Sequence, residues 1–314
     1  QRNYINCRNI SHQGALSSSS HPSQANSSQV SGLFFNMQFK TLFVSALAAA
    51  STALAQRSCG TPSPTEEQIE VAQRLQLKED NARVEGNATR LAPITVNVYW
   101  HVIATSNSVS GGYLTQATLN AQLDVLNEAY APHDVSFAQA GVDWTINSQW
   151  ASDSAELAMK RSLRKGTYAD LNVYFLPGTP YLGYAYFPQT VTTGSSAFYY
   201  DGVVIRSTSV PGGSLPQYNL GHTATHEVGH WLGLYHTFEG YQCGGNGDYV
   251  SDTPFEAEEA YNCEIGRDTC PTLAGTDPVT NYMDYSDDDC FTHFTDGQET
   301  RMHSYWDTYR ASYQ

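Results

Sequence analysis

The sequence predicts an α/β sheet domain followed by a loop-rich unit stapled by disulfides and closed by a helix. Three observations lead there. Between residues 94 and 207, stretches that alternate β-branched and polar residues take turns with stretches of helical period. Beyond His236 that regular signal fades into Gly, Asp, Asn and Pro. Four cysteines, Cys243, Cys263, Cys270 and Cys290, cluster in the faded region.

The elements follow in order. Residues 1–36 are rich in Ser, Asn and Gln, show no period and are expected to be disordered. The first methionine is Met37, so these residues are read as lying upstream of the true start. From Met37 one lysine, Lys40, precedes an apolar run from Leu42 to Ala55 that ends in Ala53-Leu54-Ala55. Small residues there suit signal peptidase, so residues 37–55 read as a signal peptide. A membrane anchor is the competing reading, but the run is short of the roughly 20 residues a span needs. Residues 56–92 are polar, with a helical pattern from Glu66 to Leu77, and read as a pro-segment. ITVNVYWHVI (94–103) alternates as a half-buried strand does. Thr115 opens a helix whose Leu119, Leu123, Leu126 and Tyr130 share one stripe. VSFAQAGVDWTI (135–146) reads as a strand, about Ser154–Arg164 as a short helix, and LNVYFL, YLGYAYF and GVVIRS as three further strands. A last helix starts near Thr295, with Met302, Tyr305, Trp306 and Tyr309 at helical spacing.

Composition narrows the partners. The 314 residues carry a formal net charge of −15. Nucleic acid and anionic membranes are polyanions, and such a surface repels both. Export makes the cysteines legible. In an oxidising compartment the four clustered cysteines form two bridges, by any of three pairings. Cys7 falls before the signal, and Cys59 is left unpaired. Asn87-Ala88-Thr89 makes Asn87 a glycosylation candidate.

The chemistry sits in THEVGHWLGLYH (225–236). On a helix His226 and His230 share one face and can grip one zinc ion. Glu227 can then reach a water on that zinc. Gly233 can take the left-handed conformation that ends a helix, which lets His236 return as a third ligand. Three neutral nitrogens leave the fourth position open, as catalytic zinc requires. A histidine on a helix is more often an ordinary polar residue. Five fixed types over eleven residues nevertheless recur by chance in about one such chain in ten thousand, at roughly one in twenty per position. His222, one turn earlier, reads as a helix-start residue rather than a ligand.

HEVGHWLGLYH resembles the metzincin zinc-peptidase signature HExxHxxGxxH. Asn281-Tyr282-Met283-Asp284-Tyr285 resembles the methionine turn of that family, with Met283 as its methionine. Together with SDTP (251–254) and NYMDYSDD (281–288), the likeness is to the pappalysin-like branch, with its ulilysin-type and secreted fungal members. It spans about residues 94–312. The resemblance implies a twisted mixed sheet with two long helices (93–236) above an irregular lower subdomain ending in a helix (237–314). It implies zinc on His226, His230 and His236, Glu227 as general base, and Tyr285 as a helper at the oxyanion. It implies the bridges Cys243–Cys270 and Cys263–Cys290. The implied reaction is hydrolysis of protein or peptide substrates by zinc-activated water. An extended substrate would add to a sheet edge supplied by YLGYAYF or GVVIRS.

Arg57-Ser58-Cys59-Gly60-Thr61-Pro62 resembles the cysteine-switch segment of latent metzincins. Cys59 would fill the open zinc position until proteolysis near Arg83 or Arg90 releases the segment. The other reading of Cys59 is a free or adventitiously paired thiol. The run Asp287–Asp289 resembles the wall of the pocket just past the cut bond. Asp289 there would favour Arg or Lys, unless the run is solvated or binds calcium. Asp248 and Asp252, among glycines, are candidates for a calcium loop. Two other readings stay in play. One is a thermolysin-like site with Glu256 as third ligand. The other is an idle zinc-binding protein that only docks on partners.

Overall fold

Strands covered on both faces need apolar side chains pointing both ways, and the middle of this sequence supplies them. The computed structural model describes residues 56–86 and 91–314. Residues 1–55, with the expected signal peptide, and 87–90, with Asn87 and Arg90, lie outside the described residues. The first element is helix α1 (Glu66–Val84), opened by a capping box between Thr65 and Gln68. It runs past Leu77, where the pattern was expected to stop, because its later acidic residues find partners on the body of the protein.

β1 (Ile94–Ala104) and β2 (Val135–Ile146) pair in parallel, with a register shift at Val98/Tyr99. The helix between them is α2 (Gln116–Tyr130), capped by the Thr115 hydroxyl on the Thr118 N–H. α3 (Ser148–Ala151) and α4 (Glu156–Leu163) then lead to β3 (Leu171–Leu176), which is buried along its whole length. β4 (Gly183–Ala185), α5 (Ser196–Tyr200) and β5 (Val203–Arg206) follow. The sheet order is β2-β1-β3-β5-β4, parallel except for β4, which runs antiparallel at one edge. YLGYAYF therefore supplies an edge, although only its centre is a regular strand.

The two sheet faces carry separate cores. Val96, Val98, Trp100, Val173, Phe175 and Ile205 face α2 and the later helix α6 (His222–Trp231). Ile103, Tyr174, Leu176 and Val204 face Ala151 and Met159 on the other side. Period-two alternation in β1, β3 and β5 thus decides which residue meets which helix. The last helix, α7 (Asp296–Tyr309), opens with a Thr295/Gln298 capping box and sets Met302 and Trp306 into the α6 side of the core.

Just past α7, buried Arg310 donates to the carbonyls of Trp231 (3.0 Å) and Tyr168 (2.8 Å). Its guanidinium lies 3.7 Å from the Trp231 ring centroid and pairs with Asp201. The end of α6 is therefore tied to the segment just past α7.

Between α6 and α7 regular structure is scarce. Cys243 pairs with Cys270 and Cys263 with Cys290, the pairing the resemblance implies. Arg267 lies among Glu256, Glu258 and Asp277, so charge pairing orders part of a region with little apolar core.

Candidate metal centre

Helix α6 is buried from Thr223 to Trp231, so its histidines leave water when the chain folds. His226 and His230 stand one turn apart on it. Gly233 has φ +97°, and a side chain there would overlap the Tyr305 ring. Only a residue without Cβ takes that conformation without strain in so tight a place. The chain reverses, and His236 returns to the other two.

The ring nitrogens are tightly specified. His226 Nδ1 lies 2.8 Å from the Tyr282 carbonyl and His230 Nδ1 2.7 Å from that of Leu234. A carbonyl only accepts, so each Nδ1 carries the proton and each Nε2 presents a lone pair. Those lone pairs converge. His230 Nε2 is 3.2 Å from His226 Nε2 and 3.1 Å from His236 Nε2. Burial pushes all three imidazoles below their usual range, His230 to about 4, so they stay neutral. Three neutral, converging acceptors suit a cation of zinc's kind.

Cys59 Sγ completes the group. Its sulfur and the three histidine nitrogens all lie within 4.8 Å of one another. Among the described residues this is the one cluster of His, Cys, Asp and Glu able to hold a metal. Its imidazole-plus-sulfur donor set fits zinc.

Glu227, 1% exposed, borders the cluster. Burial pushes its carboxyl up to about 8. Its Oε2 accepts from the Thr61 hydroxyl at 3.1 Å and from the Cys59 thiol at 3.4 Å. Burial, and next the Glu227 charge, pushes the Cys59 thiol upward. The Tyr285 hydroxyl accepts from the Cys59 N–H at 3.3 Å, and its ring stands edge-on to His236. Met283 is fully buried beside the histidines, where Gly229 leaves no Cβ to collide with its sulfur. His222 opens α6 and stands outside the metal group, contacting Thr225.

Residues 58–60 lie against the β4 edge. Gly60 N–H donates to the Gly183 carbonyl (2.8 Å) and Leu182 N–H to the Ser58 carbonyl (2.9 Å). Two residues beside Cys59 had no role read from sequence. Thr61 accepts from Ala185 N–H while donating to Glu227. Arg57 enters a slot walled by Tyr218 and Phe291 and pairs with Asp288. Their spacing was the available signal, because residues two apart in an extended chain fall on one side of it.

Two groups of acidic residues sit differently from what the sequence suggested. Asp289 is exposed; the buried carboxylate of that run is Asp288, which also accepts from Leu220 N–H and His222 N–H. The turn before Cys290 rotates Asp289 outward. Among the described residues Asp248 and Asp252 belong to no group of three or more His, Cys, Asp or Glu able to hold a metal. Asp252 accepts from the Thr295 hydroxyl and Gly297 N–H at the start of α7, and Asp248 accepts from Val250 N–H. Glu256 is taken up by Thr237 and Arg267, away from the histidines.

A relative from Colletotrichum graminicola described as "Extracellular metalloprotease" is 89% identical over 278 residues, covering 88% of this chain and all of that one. The chain belongs to this extracellular metalloprotease family. Residues 170–307 match the Pregnancy-associated plasma protein-A peptidase profile, and residues 101–237 match Metallo-peptidase family M12B Reprolysin-like. A Neurospora crassa extracellular metalloprotease is 52% identical over 88% of this chain and 99% of its own. Among solved structures, mirolysin in complex with compound 9 superposes with TM-score 0.58 and 28% identity, over 69% of this chain and 93% of that one. A Tannerella forsythia promirolysin mutant does so with TM-score 0.59 and 25% identity, over 80% and 94%. The metalloprotease described here thus has the metzincin-like fold and is an extracellular zinc hydrolase of peptide bonds. No helix among its described residues is long and apolar enough to cross a membrane.

Proposed function

We propose that the chain is made as a secreted, latent precursor, with residues 37–55 as signal peptide, 56–92 as pro-segment and 93–314 as catalytic domain. In this reading His226, His230 and His236 hold the zinc, Glu227 is the general base, and Cys59 is the latency residue. One observation carries the reading: the three histidine nitrogens, the Glu227 carboxylate and the Cys59 sulfur all meet at one buried spot beside the sheet edge.

Zinc bound there supplies the Lewis acidity that makes water nucleophilic near neutral pH and polarises a peptide carbonyl. The remaining work belongs to the chain. The β4 edge orients an extended peptide by backbone hydrogen bonds, as it now holds Ser58 and Gly60. Glu227 takes a proton from the attacking water and returns it to the leaving amine. The Tyr285 hydroxyl donates to the oxygen on which charge develops. Met283 supports the histidines from below. Asp288, rather than Asp289, selects Arg or Lys after the cut bond, since its slot already accepts the Arg57 guanidinium. In the precursor Cys59 and Thr61 engage Glu227 together, so both the metal position and the base are occupied. A glycan on Asn87 fits export. Solved structures of promirolysin and of mature mirolysin with a cleaved peptide support a precursor and a peptide substrate.

The test is a cleavage profile. Residues 56–314 are expressed in a secreting host, matured, and offered a peptide library read by mass spectrometry, with Glu227→Ala alongside. Cuts that need intact Glu227 and fall before Arg or Lys are expected. A folded, zinc-loaded protein that cuts no more than Glu227→Ala would leave an idle zinc-binding protein as the reading.

A further inference from the structure

Helix α1 is polar along most of its length, yet one stripe of it is buried. Val71 and Leu75 pack on Tyr305 and Tyr309. Ala72, one turn from Leu75, sits against Phe187 and Tyr235, with Tyr249 beside them. One turn beyond Leu75, both Glu79 carboxylate oxygens accept from Arg301, at 3.1 Å and 3.1 Å from Nε and 2.8 Å from Nη2. The Arg301 side chain is 1% exposed and that of Glu79 8%. The other hydrogen-bond partner of Arg301 is the neutral Tyr249 carbonyl. Flanking polar contacts fix the register: the Ser251 hydroxyl donates to Asp80 at 2.8 Å and accepts from Gln76 at 3.4 Å.

None of these contacts involves the strand at the metal. That strand is held by a second set of partners: Asp288 for Arg57, the β4 backbone for Ser58 and Gly60, and Glu227 for Thr61. Pro62-Ser63-Pro64 joins the two sets. A short link with two fixed φ angles keeps one anchor close to its site while the other is bound, so the anchors reinforce each other.

We propose that the groove between α7 and the loop 246–253 is a docking site in its own right. It fits an amphipathic helix that carries a carboxylate one turn past its apolar stripe, and its occupant is α1 of this same chain. It keeps residues 56–86 on the protein after the chain is cut between residues 86 and 91. This rests on the reading of residues 56–92 as a pro-segment. It adds that one cut in that link does not free the metal centre. Release requires a further cut, inside α1 or in the 62–65 link, or loss of the Glu79–Arg301 pair.

The test uses the chain 56–314 with a site for a sequence-specific protease in place of residues 87–90, in a Glu227→Ala background so that the protein cannot digest itself. After nicking, size-exclusion chromatography and mass spectrometry follow residues 56–86. The wild-type segment is expected to co-elute with the body. Truncating one partner of a buried charge pair weakens binding substantially, so Glu79→Gln is expected to dissociate about thirtyfold faster or more. Leu75→Ala, which leaves the ion pair intact, is expected to dissociate about tenfold faster. Cys59→Ala is expected to co-elute still, since its α1 is untouched. A wild-type segment that separates on the first pass, or a Glu79→Gln segment that leaves no faster than wild type, overturns the proposal. The two readings fail separately. If the segment stays but a nicked chain with intact Glu227 cuts peptides as fast as the stripped protein, docking stands and latency falls.

Discussion

Asp201→Asn is a sharp test of what holds α6, the helix of His226 and His230, to the rest of the fold. Two arginine side chains, each at most 1% exposed, share the Asp201 carboxylate: Arg310 at 2.9 Å and Arg164 at 3.2 Å. Burial alone would raise the Asp201 carboxyl, but the two guanidinium groups outweigh it and hold it below the usual range. Asparagine keeps the shape and removes the charge, which strands two buried cations. Removing one partner of a buried pair costs about 3–5 kcal/mol. In a domain of this size 1 kcal/mol moves Tm by roughly 2–4 °C, so the expected fall is about 6–20 °C. Thermal unfolding of the 56–314 chain at pH 7 reads it directly. In an Arg310→Met background the same change strands one guanidinium instead of two, so the costs should couple by about 1 kcal/mol or more. A carboxyl whose folded pKa is depressed stabilises above its unfolded pKa and loses that contribution as pH falls through the folded value. Wild type and Asp201→Asn should therefore converge in strong acid. A Tm change within about 2 °C, or strict additivity with Arg310→Met, would refute the reasoning.

Three further outcomes are expected. Cobalt-loaded 56–314 should show a sulfur-to-metal charge-transfer band that Cys59→Ser lacks; a band that survives the substitution excludes Cys59 as a ligand. Gly229→Ala places a methyl against the Met283 sulfur. Overpacking of this kind costs about 1–3 kcal/mol, and zinc should be lost to a chelator faster than from wild type; equal retention argues against support of the site by Met283. Burial pushes the Asp248 carboxyl from its ordinary 3.8 up to about 7, so between those values the folded chain holds a proton that the unfolded chain has released. Stability should fall as pH rises through that window, and Asp248→Asn should flatten the slope in denaturant titrations; an unchanged slope removes Asp248 as its source.

Much of the fold was legible because local pattern and tertiary role coincide. β2 and β3 have the bounds that alternation and apolar runs suggest, and Thr115 and Thr295 cap the helices they were expected to open. The α6 histidines were legible because four-residue spacing is a property of the helix itself. What stayed hidden depends on distant partners. α1 outlasts its apolar pattern because Arg301 and Ser251, more than 150 residues away, satisfy Glu79 and Asp80. No period distinguishes Asp288 from Asp289; the turn that buries one and exposes the other is set by packing around Arg57. Asp252 was hard to place because an acidic loop and a helix cap offer the same oxygens. Its contact with the start of α7 depends on where that helix lies, which no local pattern gives.

The two disulfides interleave, since Cys263 falls inside the loop closed by Cys243–Cys270, and Cys270 inside the loop closed by Cys263–Cys290. Every peptide bond from residue 243 to 290 is therefore spanned by at least one bridge, and those from 263 to 270 by both. A single backbone break anywhere in that stretch releases no fragment. For a hydrolase that meets its own copies outside the cell, the least regular part of the chain, including the Met283 turn, is thus the part whose strand breaks leave the pieces covalently joined until a reductant arrives.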